Sequence, residues 1–276
     1  MSTTWCSVVV DARDHRALAG FWSELLGVPG PGGAVSPVSP VLLDDAVAPG
    51  SPAVGGDEGS VNSAVPAPPA PSTSPPDESV LDVEGLELLF GVGVDAKVEK
   101  NRVHLDVNSR SAEHQAELVD RALALGAARA DIGQRDVPWV VLTDPEGNEF
   151  CVLDPRDGYA TAGPLAAVVC DAHTPTTQAR FWSAATGLEV FRTHEKFASL
   201  KPERGPWLEF VRTDDRKRSK LRVHLDVAPG VDDATGSEVD RLLALGAAHV
   251  DIGQRDVPWV VLTDPEGNEF CVLTPR

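Results

Sequence analysis

No run of this 276-residue sequence approaches the roughly twenty consecutive apolar residues that a membrane-spanning helix needs. The N-terminus also lacks the basic-then-apolar order of a secretory signal. The expectation is therefore a cytoplasmic protein with no membrane partner. Basic residues are scarce: 24 Lys and Arg stand against 42 Asp and Glu, for a formal charge of −18. Binding to a phosphate backbone relies on clustered Lys and Arg that displace its counterions, so nucleic acid is not an expected partner. The one basic run, Arg216-Lys217-Arg218 with Lys220, follows Asp214 and Asp215 and reads as a solvated turn. Cysteine is limited to Cys6, Cys151, Cys170 and Cys271, with no CxxC pair among them. Neither a disulfide framework nor a structural zinc site is indicated, and free thiols are expected.

What the sequence does have is repetition. The 23 residues DIGQRDVPWVVLTDPEGNEFCVL stand at Asp131 to Leu153 and again, letter for letter, at Asp251 to Leu273. At the same spacing upstream, RVHLDV starts at Arg102 and Arg222, and DRALALGAA at Asp120 answers DRLLALGAA at Asp240. FWSELLG at Phe21 answers FWSAATG at Phe181 only if the first copy carries an insertion of about forty residues. That insertion is visible from Pro29 to about Pro76, rich in Pro, Ala, Gly and Ser, a composition that buries too little apolar area to offset chain entropy. The reading is two domains, residues 1–155 and 163–276. The first contains a disordered insertion at about 29–79, and the junction is Asp154 to Gly163.

Each copy reads as strand, helix, strands, then strand, helix, strands. Ser7 to Val10 leads to Asp11 as helix N-cap, with Phe21, Trp22, Leu25 and Leu26 at helical spacing before Gly27. Val103, Leu105 and Val107 alternate with Arg102, His104 and Asp106, as in a half-buried strand. Asp144 to Asn148 is a turn: Asp and Asn supply side-chain turn bonds, Pro fixes φ and Gly permits a positive φ. The strand Glu149 to Leu153 closes the copy.

This order, with the DPEGN turn before the closing strand and the wording RVHLDV, LALGAA and LTDPEGNEFCVL, resembles the glyoxalase/bleomycin-resistance/dioxygenase (vicinal oxygen chelate) superfamily, in its glyoxalase-like branch. The resemblance implies an α+β fold of two tandem domains, each of two βαβββ modules forming a cupped mixed sheet with helices outside. It also implies a ligand in the cup. Metal-dependent relatives take one ligand from the first strand of each module and one, usually Glu, from the last. Carried across, those positions are Thr4, Glu87, Arg102 and Cys151 in the first copy and Pro164, Trp207, Arg222 and Cys271 in the second. Only Glu87 has the implied ligand type. A divalent ion needs three or four converging imidazole, thiolate or carboxylate donors, so the expectation is no metal and no other cofactor.

Strand alternation directs Arg102, His104 and Asp106, and likewise Arg222, His224 and Asp226, into the cups. Trp139 and Trp259 are candidate aromatic walls. His104 with Asp106, and His224 with Asp226, are candidate acid/base or ligand-orienting pairs, because a neighbouring carboxylate fixes an imidazole tautomer; a purely structural polar network is the competing reading. Cys151 and Cys271 read as small buried fillers, since a nucleophilic thiol needs a cationic neighbour. His15, His114, His173, His194 and His249 are expected at the surface. The function expected is metal-independent binding of a small organic molecule, of sequestration or resistance type. A metal-free lyase, isomerase or cyclase is the alternative, and a metal-dependent glyoxalase or extradiol dioxygenase ranks third. The chain is expected as a monomer with paired domains, or as a homodimer.

Overall fold

The computed structural model describes residues 3–31, 78–93, 97–254 and 257–276. Most of the Pro-rich stretch, expected to be disordered, lies outside the described residues. The first copy runs β1 (Thr4–Ala12), α1 (His15–Leu26), β2 (Glu78–Val83), β3 (Leu86–Val92), β4 (Val103–Val107), α2 (Ala112–Ala124), β5 (Ala128–Arg129), β6 (Val140–Thr143) and β7 (Glu149–Val152). A 3-10 turn at Asp157–Tyr159 leads into the second copy. It runs β8 (Leu165–Ala172), α3 (Pro175–Thr186), β9 (Glu189–Thr193), β10 (Phe197–Lys201), β11 (Trp207–Arg212), β12 (Val223–Ala228), α4 (Thr235–Ala244), β13 (Ala248–His249), β14 (Val260–Thr263) and β15 (Glu269–Val272).

Helix α1 starts later than the sequence suggests. Asp11 stays in β1, and Asp14 is the N-cap, its carboxylate accepting from the Ala17 N–H at 2.9 Å. Asp11 is instead held by the Lys220 ammonium. At the far end Gly27 adopts φ 68°, the left-handed cap that an L side chain resists.

Two mixed sheets form, ordered β13-β14-β15-β12-β1-β3-β2 and β5-β6-β7-β4-β8-β11-β10-β9. The fold class is the expected one, but the two modules of one copy do not share a sheet. The first module of copy 1 joins the last module of copy 2 through antiparallel β1–β12, and the two middle modules join through antiparallel β4–β8. Each copy holds its own modules together back to back instead. Phe21 and Trp22 of α1 pack edge-on against Phe150 of β7, and Phe181 and Trp182 of α3 repeat this against Phe270 of β15. One continuous apolar core results. That packing leaves the outer edges of β1 and β4 with unpaired backbone groups, which the other copy satisfies. The junction is short, and Asn108 fixes it by donating from Nδ2 to the Tyr159 and Gly163 carbonyls at 2.9 Å. β8 is thereby delivered alongside β4.

The DPEGN turns lock the sheets to each other. Asp144 accepts from the Glu146 and Asn148 N–H groups, and Gly147 takes φ 85°, as the composition implies. The Glu146 carboxylate then reaches across to accept from the N–H of Arg13 at 2.8 and 2.9 Å and of Asp14 at 2.8 Å, at the start of α1. Glu266 does the same for His173 and Thr174 at 2.7 Å. Negative charge at a helix N-terminus is favourable in its own right. His15, expected at the surface, is buried within this packing, with Nδ1 2.9 Å from Ser79 Oγ.

Candidate functional site

Each sheet turns one face to the helices and the core. The other face of the β4–β8 sheet carries His104 and Asp106 from β4 and Cys151 from β7. Parallel pairing of β4 with β7 sets Asp106 level with Cys151, and antiparallel pairing sets Asp106 opposite Ala167 and His104 opposite Val169. Ligating atoms of His104, Asp106 and Cys151 all lie within 4.8 Å of one another, and His224, Asp226 and Cys271 form the same group on the β1–β12 sheet. In both, imidazole Nε2 stands 3.4 Å from the carboxylate Oδ1. Cys271 Sγ is 3.6 Å from His224 Nε2.

His104, Asp106 and the two thiols are charged only at a penalty. Burial pushes His104 down to about 3, assisted by the Lys100 ammonium. Burial also raises the Asp106 carboxyl to about 7, with the Glu209 carboxylate adding to the effect. The Cys151 and Cys271 thiols are raised, first by burial and then by the neighbouring Asp. His104 is thus neutral near pH 7, and its 3.4 Å contact with Asp106 is not an ion pair. An unaided nucleophilic thiolate is disfavoured at both cysteines.

Surroundings distinguish the two cups. Glu209 on β11, level with Val169, faces the β4–β8 floor, where its Oε1 accepts from Ser199 Oγ at 2.8 Å and Tyr159 Oη at 3.0 Å. The register places Leu89 of β3, beside Val9, at the corresponding point of the other cup. There Ser7 Oγ donates to Asp226 Oδ2 at 3.2 Å. A cavity of about 170 Å³ opens on the β4–β8 floor, walled by Trp139, Val141 and Val211 and reaching Glu209 and Arg156. Trp139 is steadied by Gln134, which accepts from its Nε1 at 2.8 Å, and by the Arg156 guanidinium 5.5 Å above the ring. Trp259 stands half-buried at the matching position before β14.

Of the residues singled out in the sequence, the structure brings His104, Asp106, Cys151 and Trp139 to one cavity. His224, Asp226 and Cys271 are brought together on the other sheet. Arg102 and Arg222 are not brought into either cluster. Each lies one residue before its strand, buried between the sheets. Arg102 donates to Asn268 Oδ1 at 3.1 Å and to the Asp171 and Asp215 carbonyls at 2.9 Å, while Arg222 donates to Asn148 Oδ1 at 3.4 Å and the Asp11 carbonyl at 3.0 Å. The cross-sheet turns, rich in carbonyl and carboxylate acceptors, draw these guanidinium groups away from the cups. Glu87 pairs with Arg276 at 3.2 Å, and Trp207 packs against Tyr159 and Phe191 at one end of its sheet. Glu209, Ser199 and Tyr159 were not foreseen; they share no motif with the repeats, and only the fold gathers them.

The comparison of metal positions shifts accordingly. His104 and His224, two residues beyond Arg102 and Arg222, are the imidazoles that stand beside the cysteines. On the opening strand β8, Ala167 and Val169 face the triad, and the one ligating side chain that lines the cavity, Asp171, is held by the Lys100 ammonium. Beside the other triad, β1 offers Ser7 and Val9. A set drawn from one module does find three donors of ligating type.

The chain belongs to the glyoxalase-like domain family, whose model matches residues 7–153 and 167–273. Among solved structures it is similar to glyoxalase I from Zea mays, with a TM-score of 0.56 at 13% identity, covering 99% of this chain and 92% of that one. It is also similar to a putative dioxygenase from Bacillus subtilis, with a TM-score of 0.58 at 12% identity, covering 99% and 86%. At such identity the likeness speaks for the fold alone. No curated protein matches it. Among the described residues no helix is long and apolar enough to cross a membrane.

Proposed function

We propose that the β4–β8 cup binds a small organic molecule, its apolar or aromatic body against Trp139, Val141 and Val211 and its polar end on His104, Asp106 and Glu209. The observation that carries this reading is the cavity itself: an apolar wall over a floor of convergent buried polar groups is the usual form of a small-molecule site. Its volume of about 170 Å³ lies below the roughly 300–1,000 Å³ of drug-sized pockets, which favours a compact ligand.

Binding of this kind draws on no metal, and sequestration is the primary reading. The floor also supports a second one, proton transfer. Asp106 and Glu209 both hold protons more tightly than ordinary carboxyls, while neutral His104 keeps a free lone pair, so donor and acceptor stand side by side. A divalent ion, where bound, would be held by His104, Asp106 and Cys151 and would supply a Lewis acid.

The test is a compound screen by thermal shift in chelating buffer, with wild type, His104→Ala and Trp139→Ala. Compounds are expected to raise the midpoint of the wild type and to bind more weakly to both variants. A compound recovered unchanged supports sequestration. Turnover lost in His104→Ala supports the enzymatic reading. Hits that stabilise both variants as strongly as wild type would place the site elsewhere.

A further inference from the structure

We infer that the groove between the two copies binds a compact polyanion, a small molecule carrying two or more phosphate or carboxylate groups. The site is separate from both cups and does not rest on ligand binding there.

The groove forms where the loops that lead into β4 and β12 come together. Lys97, Lys100, Arg102, Lys220 and Arg222 line a cavity of about 370 Å³, with Asp11 and Glu99. An adjoining cavity of about 210 Å³ shares Glu99, Lys100 and Arg102 and adds Arg216 and Arg218, with Asp171 and Asp215. Seven cations thus face four carboxylates, in a chain whose formal charge is −18. Cations gathered in a recess focus their field there, whereas the acidic surface around it repels an extended phosphate backbone. The basic run that reads locally as a solvated turn supplies three of the seven, Arg216, Arg218 and Lys220.

The floor of the groove carries charge that the protein does not itself pair closely. Arg102 is buried, yet its three hydrogen bonds go to neutral acceptors, Asn268 Oδ1 and the Asp171 and Asp215 carbonyls. Glu266 stands off at 3.8 Å and accepts from the His173 and Thr174 N–H groups instead. A buried cation without a contact carboxylate calls for a counter-ion, and Arg102 lines both cavities. Donors remain for one, since a guanidinium has five N–H groups and an ammonium three. Among the described residues Arg102 keeps two N–H groups beyond the bonds named, Lys220 Nζ keeps two after donating to Asp11, and Lys100 Nζ keeps one after donating to Asp171 and the Asn101 carbonyl. Arg216 and Arg218 stand exposed at the rim, within reach of a bound anion.

Size and spacing select the ligand. The larger volume falls within the roughly 300–1,000 Å³ of small-molecule sites. Lys220 belongs only to that cavity, and Arg216 and Arg218 only to the smaller one, so a ligand with several anionic centres engages both where a single centre engages one. Such a ligand bridges the copies, with Lys100 and Arg102 from the first and Arg218 and Lys220 from the second.

The experiment is a calorimetric titration of the metal-free chain with pyrophosphate and with citrate at about 20 mM salt, with inorganic phosphate as the single-centre control. At least one polyanion is expected to bind at one equivalent per chain, about tenfold or more tighter than phosphate, and to weaken at about 200 mM salt. Preference for pyrophosphate marks a phosphorylated ligand, and preference for citrate a polycarboxylate. The Arg216→Gln, Arg218→Gln double variant and Lys220→Gln should each bind about tenfold more weakly. Arg110→Gln with Arg129→Gln removes the same charge from exposed positions outside the groove and should change affinity by less than about twofold. Circular dichroism checks each fold. No binding of either polyanion at about 1 mM, or equal weakening by the two double variants, overturns the inference.

Discussion

Asp106→Asn should stabilise the metal-free protein, and do so increasingly as pH rises. Asp106 is buried, and its carboxyl is raised from an ordinary 3.8 to about 7. Between those values the unfolded chain has released the proton while the folded chain retains it. Unfolded protein therefore binds fewer protons, and stability falls as pH rises through this window. At 1.36 kcal/mol per pH unit, the penalty accumulated by pH 8 is about 4 kcal/mol, an upper figure because a buried site relaxes and admits water. The asparagine amide is nearly isosteric with the protonated acid and has nothing to ionise. In chelating buffer at pH 8 the variant should gain up to about 4 kcal/mol, which at about 2–3 kcal/mol per molar moves the urea midpoint by about 1–2 M. At pH 5 the gain should shrink to about 1.6 kcal/mol, because only about 1.2 pH units of the window have then been crossed. His104 works in the opposite direction, since a base lowered to about 3 loses stability as pH falls below its ordinary 6.5. It is present in both proteins and cancels in the difference. A stability difference that is equal at pH 5 and pH 8 would refute the reasoning, because it would show that Asp106 ionises in the cup as it does in water.

Two further outcomes test the architecture. Glu146→Ala removes the carboxylate that accepts the Arg13 and Asp14 N–H groups and should cost about 2–4 kcal/mol in urea unfolding, with Glu146→Gln near half of that; a change under about 0.5 kcal/mol would show that the turn does not clamp α1. Since β1–β12 and β4–β8 both pair within one chain, we expect a monomer by light scattering. A dimer mass that persists on dilution would refute this.

The two-copy organisation was legible in the letters, because a repeat of identical residues must fold alike wherever it stands, while the two modules within each copy came from the family resemblance. So was the parity that sets His104, Asp106 and Cys151 on the face away from the core, since a strand alternates its side chains and the apolar set Val103, Leu105 and Val107 has to be covered. The helix stop at Gly27 and the DPEGN turn could be read for the same local reason. Local signals gave the wrong cap at Asp11, because β1 continues as long as β3 and β12 offer it partners. Long-range effects were out of reach of any pattern. Arg102 obeys the alternation rule on paper, yet in the fold it turns to the acceptors of a turn 166 residues away. Ser199 and Glu209 pair across the β10–β11 hairpin, but Tyr159 of the junction reaches them only once β8 has brought β11 to the sheet of β4. Sequence alone thus determined the units and the polarity of their faces, which depend on neighbours a few residues apart. Which unit completes which cup was left to tertiary structure, because free strand edges and a short junction choose partners by proximity in space.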